Sequence, residues 1–521
     1  MQAVDWREGP GGSGGTAKGA SVVLTLAVLL FVAGFGAVDG QTAADAPAAS
    51  PGATGVSPVH GQDARATRRP LASRQCTSKM PVPSAERVEL KTAADCFDYY
   101  DRRFAEAMAA LPHREPWREE DRAEIAQIAK RCFGIRDDWR PQIRTETARV
   151  TDHEGFRIEH LRGTSWPGVI CTAHLYVPNR AKAPSKAKKL PLVLLCCGHG
   201  RGCKLCPGYQ AMARHLARCG MLVLVFDNIG QGERTPMGHR TPVVPFACGT
   251  TVEGLIALEA LAWLDWAQND PRVDVGRMAA IGNSGGGKLT IFLAALCPEL
   301  AAISSSGWPS TFEFVARKEK RLCHCTVLPG TVGQIEVWHL LGCFAPRPML
   351  IFQGKLDCLF PEDLFHRVAR QVKGCYARVG AADRFEAVVV PGEHSWDDKR
   401  RELVGRWLST VFDLGPAPPL PEKENLLALD DGCLDGWPDD AVDIDTLARR
   451  LTGVDPPPDL KLWDVFRPPI DLDHVEQITP RGDTRQILAQ FEAFLKADWP
   501  CAWSAPAATE QIPPKKPEVN P

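Results

Sequence analysis

A glycine-rich turn carries a serine that could act as a nucleophile. The apolar run 278–281 leads directly into residues 282–287, Gly-Asn-Ser-Gly-Gly-Gly, and a helical pattern follows. A strand, a sharp turn and a helix in this order form a nucleophile elbow, in which the turn is too tight for large flanking side chains. The hydroxyl of Ser284 would stand above the sheet. The N–H of Gly285, at the helix N-terminus, could donate to a developing oxyanion.

The same turn also fits the start of a phosphate-binding loop. Residues 282–288 satisfy the first seven positions of G-x-x-x-x-G-K, but Leu289 stands where serine or threonine must hold magnesium. The strand 221–227, which ends in an aspartate, precedes the turn, although in a nucleotide-binding sheet it should follow. The pattern therefore favours the nucleophile elbow, and a purely structural glycine-rich turn is a further alternative.

Two candidate partners for Ser284 follow it along the chain. Asp357 comes just after the apolar run 348–352, and His394 comes after the next run, 386–390. Of the thirteen histidines, only His394 lies between the last predicted strand and the closing helix. The order serine, aspartate, histidine is the one that this strand, turn and helix arrangement requires. We predict Ser284 as nucleophile, His394 as general base and Asp357 as the group that orients the imidazole.

A second glycine-rich loop, residues 197–202, follows the apolar run 190–196. Its glycines allow the backbone to turn beneath a substrate carbonyl. The N–H of His199 is therefore predicted to complete an oxyanion hole with the N–H of Gly285. This chemistry requires no metal and no organic cofactor, and none is predicted.

The chain contains eighteen cysteines, including two closely spaced pairs. Cys203 and Cys206 have a CxxC spacing, and Cys323 and Cys325 follow later. A zinc site would combine such pairs, but the second spacing is shorter than usual for ligands. A local disulfide is another alternative. Free thiols are the default prediction, because several cysteines lie in apolar runs where they act as small buried hydrophobes.

The elements that must position these residues begin near residue 169. Short apolar runs there alternate with helical patterns, which indicates βαβ units and a mostly parallel central sheet with helices on both faces. The predicted strands are 169–177, 190–196, 221–226, 278–281, 301–305, 348–352 and 386–390. The predicted helices between them are 209–218, 252–267, 286–296 and 362–372. We assign residues 151–414 to one catalytic domain.

The regions before and after this domain differ from it in composition and predicted structure. Residues 59 to about 160 are polar and helix-leaning, with amphipathic helices predicted at 93–111 and 119–132. The apolar run 21–38 predicts an exported protein that is secreted, periplasmic or membrane-anchored. The assigned segments are 1–40 as a signal peptide or membrane anchor, 41–80 as a flexible linker, 81–150 as an N-terminal helical region, and 415–521 as a C-terminal extension with one helix at 484–497.

The charge of the chain limits the class of partner. Sixty-one basic and sixty-three acidic residues give a net charge of -2. Such a balance provides no electrostatic case for nucleic-acid binding. We expect a small or neutral substrate instead.

Residues from about 150 to 412 resemble the acetyl-xylan-esterase-like branch of the α/β-hydrolases, which has relatives among dienelactone hydrolases and glucuronoyl esterases. The matching segments are 174–178 (HLYVP), 197–202, 226–234 (FDNIGQGER), 282–287, 354–357 and 392–394. The oxyanion loop departs from the pattern, since Cys197-Gly198 stands where relatives often have His-Gly.

The resemblance implies an α/β-hydrolase fold and an exported carboxylic ester hydrolase that forms an acyl-enzyme. Its substrates would be small-molecule or carbohydrate esters, such as acyl groups on polysaccharides. Asp227 and Arg234, within the matching segment 226–234, are expected to hold the loop that follows a strand rather than to touch substrate. A serine peptidase of related fold and a non-catalytic binding protein on the same scaffold are the alternatives.

Overall fold

The computed structural model describes residues 105–179, 189–200, 202–239, 243–317, 323–326, 328 and 330–460. The predicted signal peptide or anchor, the linker, the helix at 484–497 and the last part of the C-terminal extension lie outside the described residues. Within the described part of the chain, no helix is long and apolar enough to cross a membrane.

A nine-stranded sheet forms the centre of the molecule. Its strands are β1 Arg144–His153, β2 Phe156–Thr164, β3 Ile170–Pro178, β4 Leu190–Cys196, β5 Leu222–Phe226, β6 Val273–Asn283, β7 Ala302–Ser306, β8 Met349–Gly354 and β9 Phe385–Val390. Their order in space is β1-β2-β3-β5-β4-β6-β7-β8-β9. The pairs from β1 to β5 are antiparallel, and all later pairs are parallel. The predicted mostly parallel sheet is confirmed, with strand ends shifted by one or two residues and β6 longer than predicted.

Helices cover both faces of this sheet, as predicted. They are α1 Glu119–Phe133, α2 Pro207–Arg218, α3 Val243–Ala247, α4 Val252–Gln268, α5 Gly285–Leu296, α6 Phe312–Arg317, α7 Val337–Gly342, α8 Glu362–Arg378, α9 Asp398–Val411 and α10 Ile444–Thr452. One apolar core includes buried residues of α1, α4, α5 and α8, and a second core includes those of α2 and α9. The two cores lie on opposite faces because neighbouring residues of a strand point to opposite sides of a sheet.

The prediction of a helix-leaning region up to about residue 160 is wrong from residue 144 onward. Strands β1 and β2 form an antiparallel hairpin there, with Gly155 at positive φ (88°) in the turn. Strand β1 thereby crosses the predicted boundary at residues 150/151. No residue of β1 is buried, so the strand shows none of the apolar alternation by which a half-buried strand is predicted.

The described part of the C-terminal extension packs on the central sheet and its helices. Val442, Ile444 and Leu447 belong to the larger apolar core. The side chain of Gln210, in α2, accepts a hydrogen bond from the N–H of Leu427 (2.8 Å) and donates one to its carbonyl oxygen (3.0 Å). Residues up to 460 are therefore structurally continuous with the domain that carries the candidate triad.

Candidate active site

Ser284 lies at the tip of the turn between β6 and α5, as predicted. Its backbone has φ 60° and ψ -128°, a strained conformation for a non-glycine residue that costs of order 1–3 kcal/mol. A Cβ at Gly282 would lie 2.2 Å from the carbonyl oxygen of Gly286, and a Cβ at Gly286 would lie 2.0 Å from that of Cys196. Glycine is therefore required at both positions, and the strained serine is held by the close packing of the turn on the sheet.

Asp357 and His394 meet at the carboxyl ends of β8 and β9. His394 Nδ1 lies 2.7 Å from Asp357 Oδ2. The other carboxylate oxygen accepts hydrogen bonds from the N–H groups of Leu359 (2.8 Å) and Phe360 (3.1 Å). Burial alone would raise the pKa of Asp357, but the hydrogen bond and charge of His394 and these two backbone donors together lower it. Asp357 is therefore an ionised hydrogen-bond acceptor that fixes the orientation of the imidazole.

The second ring nitrogen of His394 is available for proton transfer. Nε2 is buried and makes no hydrogen bond with any of the described residues. Because Nδ1 faces a carboxylate and must donate, Nε2 carries the lone pair. A Cβ at Gly307 would lie 2.8 Å from His394 Cε1 and 2.6 Å from Asn283 Oδ1, so the imidazole lies beside the residue that precedes Ser284. The structure thus brings Asp357 and His394 into contact and places the imidazole beside the turn that carries Ser284, although no hydrogen bond joins His394 Nε2 to Ser284 among the described residues.

Arg400, which the sequence analysis missed, anchors the loop that carries His394. Its buried guanidinium donates to the carbonyl oxygen of Glu393 and to the carboxylate of Asp397. Asp397 also caps α9 by accepting from the Arg400 N–H (3.0 Å). A Cβ at Gly354 would lie 2.4 Å from an Arg400 amino nitrogen, so the arginine also packs against the end of β8. In the sequence, Arg400 is one of several charged residues in the first turns of a helix, and no local signal distinguishes it.

The two predicted oxyanion residues lie next to each other. The His199 imidazole approaches within 3.2 Å of the position that a Cβ on Gly285 would occupy. Within the described part of the chain, neither the His199 N–H nor the Gly285 N–H donates a hydrogen bond. Tyr209, also missed from sequence, accepts from the Gly198 N–H and donates to the Asn283 carbonyl oxygen (3.2 Å). This tyrosine ties the oxyanion loop to the nucleophile elbow.

Lys288 distinguishes the elbow from a phosphate-binding loop. Its ammonium is buried, forms an ion pair with Glu253 (2.7 Å) and donates to the Cys325 carbonyl oxygen (2.9 Å). A phosphate-binding loop needs this lysine directed at the nucleotide phosphates. The lysine instead joins α4 and α5 to the segment that contains Cys325.

Asp227 and Arg234 hold the loop after β5, as predicted. Both side chains are buried. Arg234 donates to the Asp227 carbonyl oxygen (2.8 Å) and to the buried carboxylate of Glu259 (3.0 Å). The Asp227 carboxylate accepts from the N–H of Lys204 (3.1 Å) and forms an ion pair with its ammonium. Neither residue is placed to contact a substrate.

The cysteines of the described residues are all free thiols, which argues against a local disulfide in either pair. Cys323 and Cys325 do not form a cluster with Cys203 and Cys206 either. They lie instead beside His199 and His239, with one nitrogen or sulfur atom of each residue within 4.8 Å of the others.

Part of the chain matches a known protein family. Residues 163–316 match the acetyl xylan esterase (AXE1) family model. A protein of Bacillus subtilis (strain 168) named as a hydrolase, YtaP, is 25% identical over 280 residues, which are 51% of this chain and 92% of that protein.

Among solved structures, methylesterase BT1017 is similar, with a TM-score of 0.48, 21% identity, and coverage of 60% of this chain and 69% of that one. A glucuronoyl esterase from Solibacter usitatus has a TM-score of 0.45 and 14% identity, over 57% of this chain and 93% of that one. The strand order, the elbow and the family match together give an α/β-hydrolase fold with an acetyl-xylan-esterase-type region over residues 163–316, and the chain is an enzyme of the carboxylic ester hydrolase class.

Proposed function

We propose that this protein is a serine esterase that cleaves carbohydrate esters through an acyl-enzyme on Ser284. The observation that carries the proposal is the state of His394. Its Nδ1 is bonded to Asp357, and its Nε2 is buried and unpartnered among the described residues, beside the elbow that presents Ser284. This is the arrangement that a general base needs before substrate binds.

In the first half of the reaction, Ser284 Oγ attacks the ester carbonyl carbon while its proton passes to His394 Nε2. The positive charge that forms on the imidazole is stabilised by the ionised Asp357. The carbonyl oxygen becomes an oxyanion that the Gly285 and His199 N–H groups bind, each contributing about 3 kcal/mol. Collapse of this intermediate breaks the bond to the alcohol, which leaves with the proton from His394.

In the second half, water attacks the acyl-enzyme. His394 Nε2 takes a proton from the water, and the same oxyanion hole holds the second intermediate. Release of the carboxylic acid returns the proton to Ser284 Oγ. Every proton in both halves passes through one nitrogen, so the reaction needs Nε2 unprotonated at the start.

The substrate class rests on the family match at residues 163–316. Acyl groups on polysaccharides are the expected substrates, and methyl esters of sugar acids are a second group to screen. Proteins with this arrangement of residues can also cleave amides, so matched ester and amide substrates should be compared. We expect hydrolysis of the esters alone.

The test uses the full chain and a fluorophosphonate probe, which reacts only with an activated serine. Wild type should be labelled and should hydrolyse a short-chain p-nitrophenyl ester, whereas Ser284→Ala should do neither and should keep its circular dichroism spectrum. Ser409→Ala, a buried serine on α9, is the matched control and should retain both activities. Labelling of Ser284→Ala at the wild-type rate would contradict the proposal.

A further inference from the structure

Four potential metal ligands from three loops converge beside Gly285. His199 comes from the loop after β4, His239 from the loop after β5, and Cys323 and Cys325 from the segment between α6 and α7. Apart from His199, which is partly exposed, their side chains are buried. Two imidazoles and two thiols are the ligand set of a Cys₂His₂ zinc site.

Two of the distances between ligand atoms fit one tetrahedral ion, and all four ligand atoms lie within 4.8 Å of one another. His199 Nε2 lies 3.2 Å from His239 Nε2 and 3.3 Å from Cys325 Sγ. Zinc–nitrogen bonds of about 2.0 Å and zinc–sulfur bonds of about 2.3 Å, at tetrahedral angles, place ligand nitrogens about 3.3 Å apart and nitrogen and sulfur about 3.5 Å apart. Both observed separations are within a few tenths of an ångström of these values.

The tautomer of His239 is already the one that a metal requires. Its Nδ1 lies 2.8 Å from the carbonyl oxygen of Ile229, to which it must donate. Nε2 therefore carries the lone pair, which faces the amide nitrogen of Gln231 (3.2 Å) while no metal is bound and which Gln231 would give up to a metal ion. A histidine held by a backbone carbonyl at its other nitrogen is the usual arrangement of metal-ligating imidazoles.

The surrounding charges favour a divalent cation. Lys288 lies 3.5 Å from Cys325 Sγ and 2.7 Å from the buried carboxylate of Glu253, so one ammonium faces two buried acidic groups. Two thiolates beside that carboxylate would together carry more buried negative charge than this single cation balances, which is costly. A Zn²⁺ ion would neutralise both, and sulfur and imidazole ligands in a tetrahedral arrangement select zinc among the common divalent metals.

We propose that His199, His239, Cys323 and Cys325 bind one Zn²⁺ in a closed, four-ligand site. Because all four positions are filled by protein, the ion is structural and does not activate water. It connects the oxyanion loop to two further loops. The zinc thereby positions the His199 loop for the proposed esterase reaction, although zinc binding itself does not depend on that function.

The first test measures metal content in the purified full chain. Wild type should contain about one zinc per chain, and Cys325→Ser and His239→Ala should each contain less than about a tenth of that amount. Cys358→Ser removes an exposed thiol, His366→Ala removes an exposed imidazole, and both controls should keep the metal. Zinc-free wild type that also fails to take up added Zn²⁺, or wild-type zinc content in a folded Cys325→Ser, would overturn the proposal.

The second test replaces zinc with Co²⁺, which reports the ligands directly. Wild type should show the visible absorption of tetrahedral cobalt and a thiolate-to-cobalt charge-transfer band, and Cys323→Ser should weaken that band. A six-coordinate spectrum without the charge-transfer band would refute the Cys₂His₂ assignment. Because circular dichroism checks folding in each variant, loss of metal through unfolding is separated from loss of a ligand.

Ser284→Ala separates the two proposals. It should be inactive yet hold as much zinc as wild type, because Ser284 is not a ligand. An active Ser284→Ala with bound zinc would refute the esterase proposal alone. Removal of zinc by a chelator should lower both the melting temperature and the ester hydrolysis rate, and restoration of Zn²⁺ should recover both.

Discussion

The carboxylate of Asp357 can be replaced by an amide of the same shape, and the structure determines which way that amide would face. In wild type, one carboxylate oxygen accepts the N–H groups of Leu359 and Phe360, and the other accepts His394 Nδ1–H. In Asp357→Asn, the two backbone donors require the amide oxygen on their side. The amide NH₂ must then face His394 and donate to Nδ1.

This reversal would put the imidazole proton on Nε2. A protonated Nε2 cannot accept the proton of Ser284, so the general base is lost while the geometry is kept. The loss expected from a wrong tautomer in a serine triad is about 10⁴-fold in kcat, or about 5.5 kcal/mol of transition-state stabilisation. Stability should change little, because the two backbone hydrogen bonds to the side-chain oxygen survive.

The assay is the kcat for a short-chain p-nitrophenyl ester, measured with the melting temperature of each variant. Asp383→Asn, an exposed aspartate before β9, is the matched control and should behave like wild type. If Asp357→Asn retained more than about a tenth of the wild-type kcat, the proposed role of Asp357 would be refuted.

Three further perturbations test other parts of the structure. Gly307→Ala should lower kcat by about 10²-fold and keep a native circular dichroism spectrum, because the new methyl group would push the His394 imidazole away from Ser284. An unchanged kcat would contradict the placement of the imidazole ring. Arg234→Met should reduce the free energy of unfolding by about 3–5 kcal/mol in urea titrations, because Glu259 would remain buried without its partner; a change below about 1 kcal/mol would show that the pair is dispensable. Burial raises the pKa of Glu336 to about 7 despite its three backbone donors, so the folded state binds more protons than the unfolded state between its ordinary value of 4.5 and 7. Stability from this group is present below that window and is lost as the pH rises through it, by about 3 kcal/mol at most. In urea titrations between pH 4.5 and 7, the free energy of unfolding of Glu336→Gln should not show this decrease. If the variant and wild type showed the same pH dependence of stability, the role assigned to Glu336 would be wrong.

Much of the site could be predicted because its parts are local patterns. The elbow around Ser284, the loop with His199, and the segments carrying Asp357 and His394 each follow an apolar strand directly. Parallel strands end at the same edge of a sheet, so chemistry placed after successive strands must meet there. The core strands could also be predicted from local pattern, because burial on both faces of the sheet makes each of them a continuous apolar run.

Other parts could not be predicted, since their roles depend on neighbours far away in the chain. The hairpin β1–β2 has an exposed outer strand whose polar composition resembles a surface helix or loop. Tyr209 and Arg400 lie in helices with ordinary patterns, and only packing directs them at the elbow and at the His394 loop.

By itself, the sequence determined the order of strand, turn and helix, and with it the choice of Ser284 as the predicted nucleophile, because strain and glycine placement at a tight turn are properties of adjacent residues. Only the tertiary structure decided what surrounds that turn. His199 is separated by 40 residues from His239 and by 126 from Cys325, and their contacts depend on strand order and on how loops fold over the sheet. Local periodicity does not encode those distances, so a search for regular spacing could not find the proposed zinc ligands.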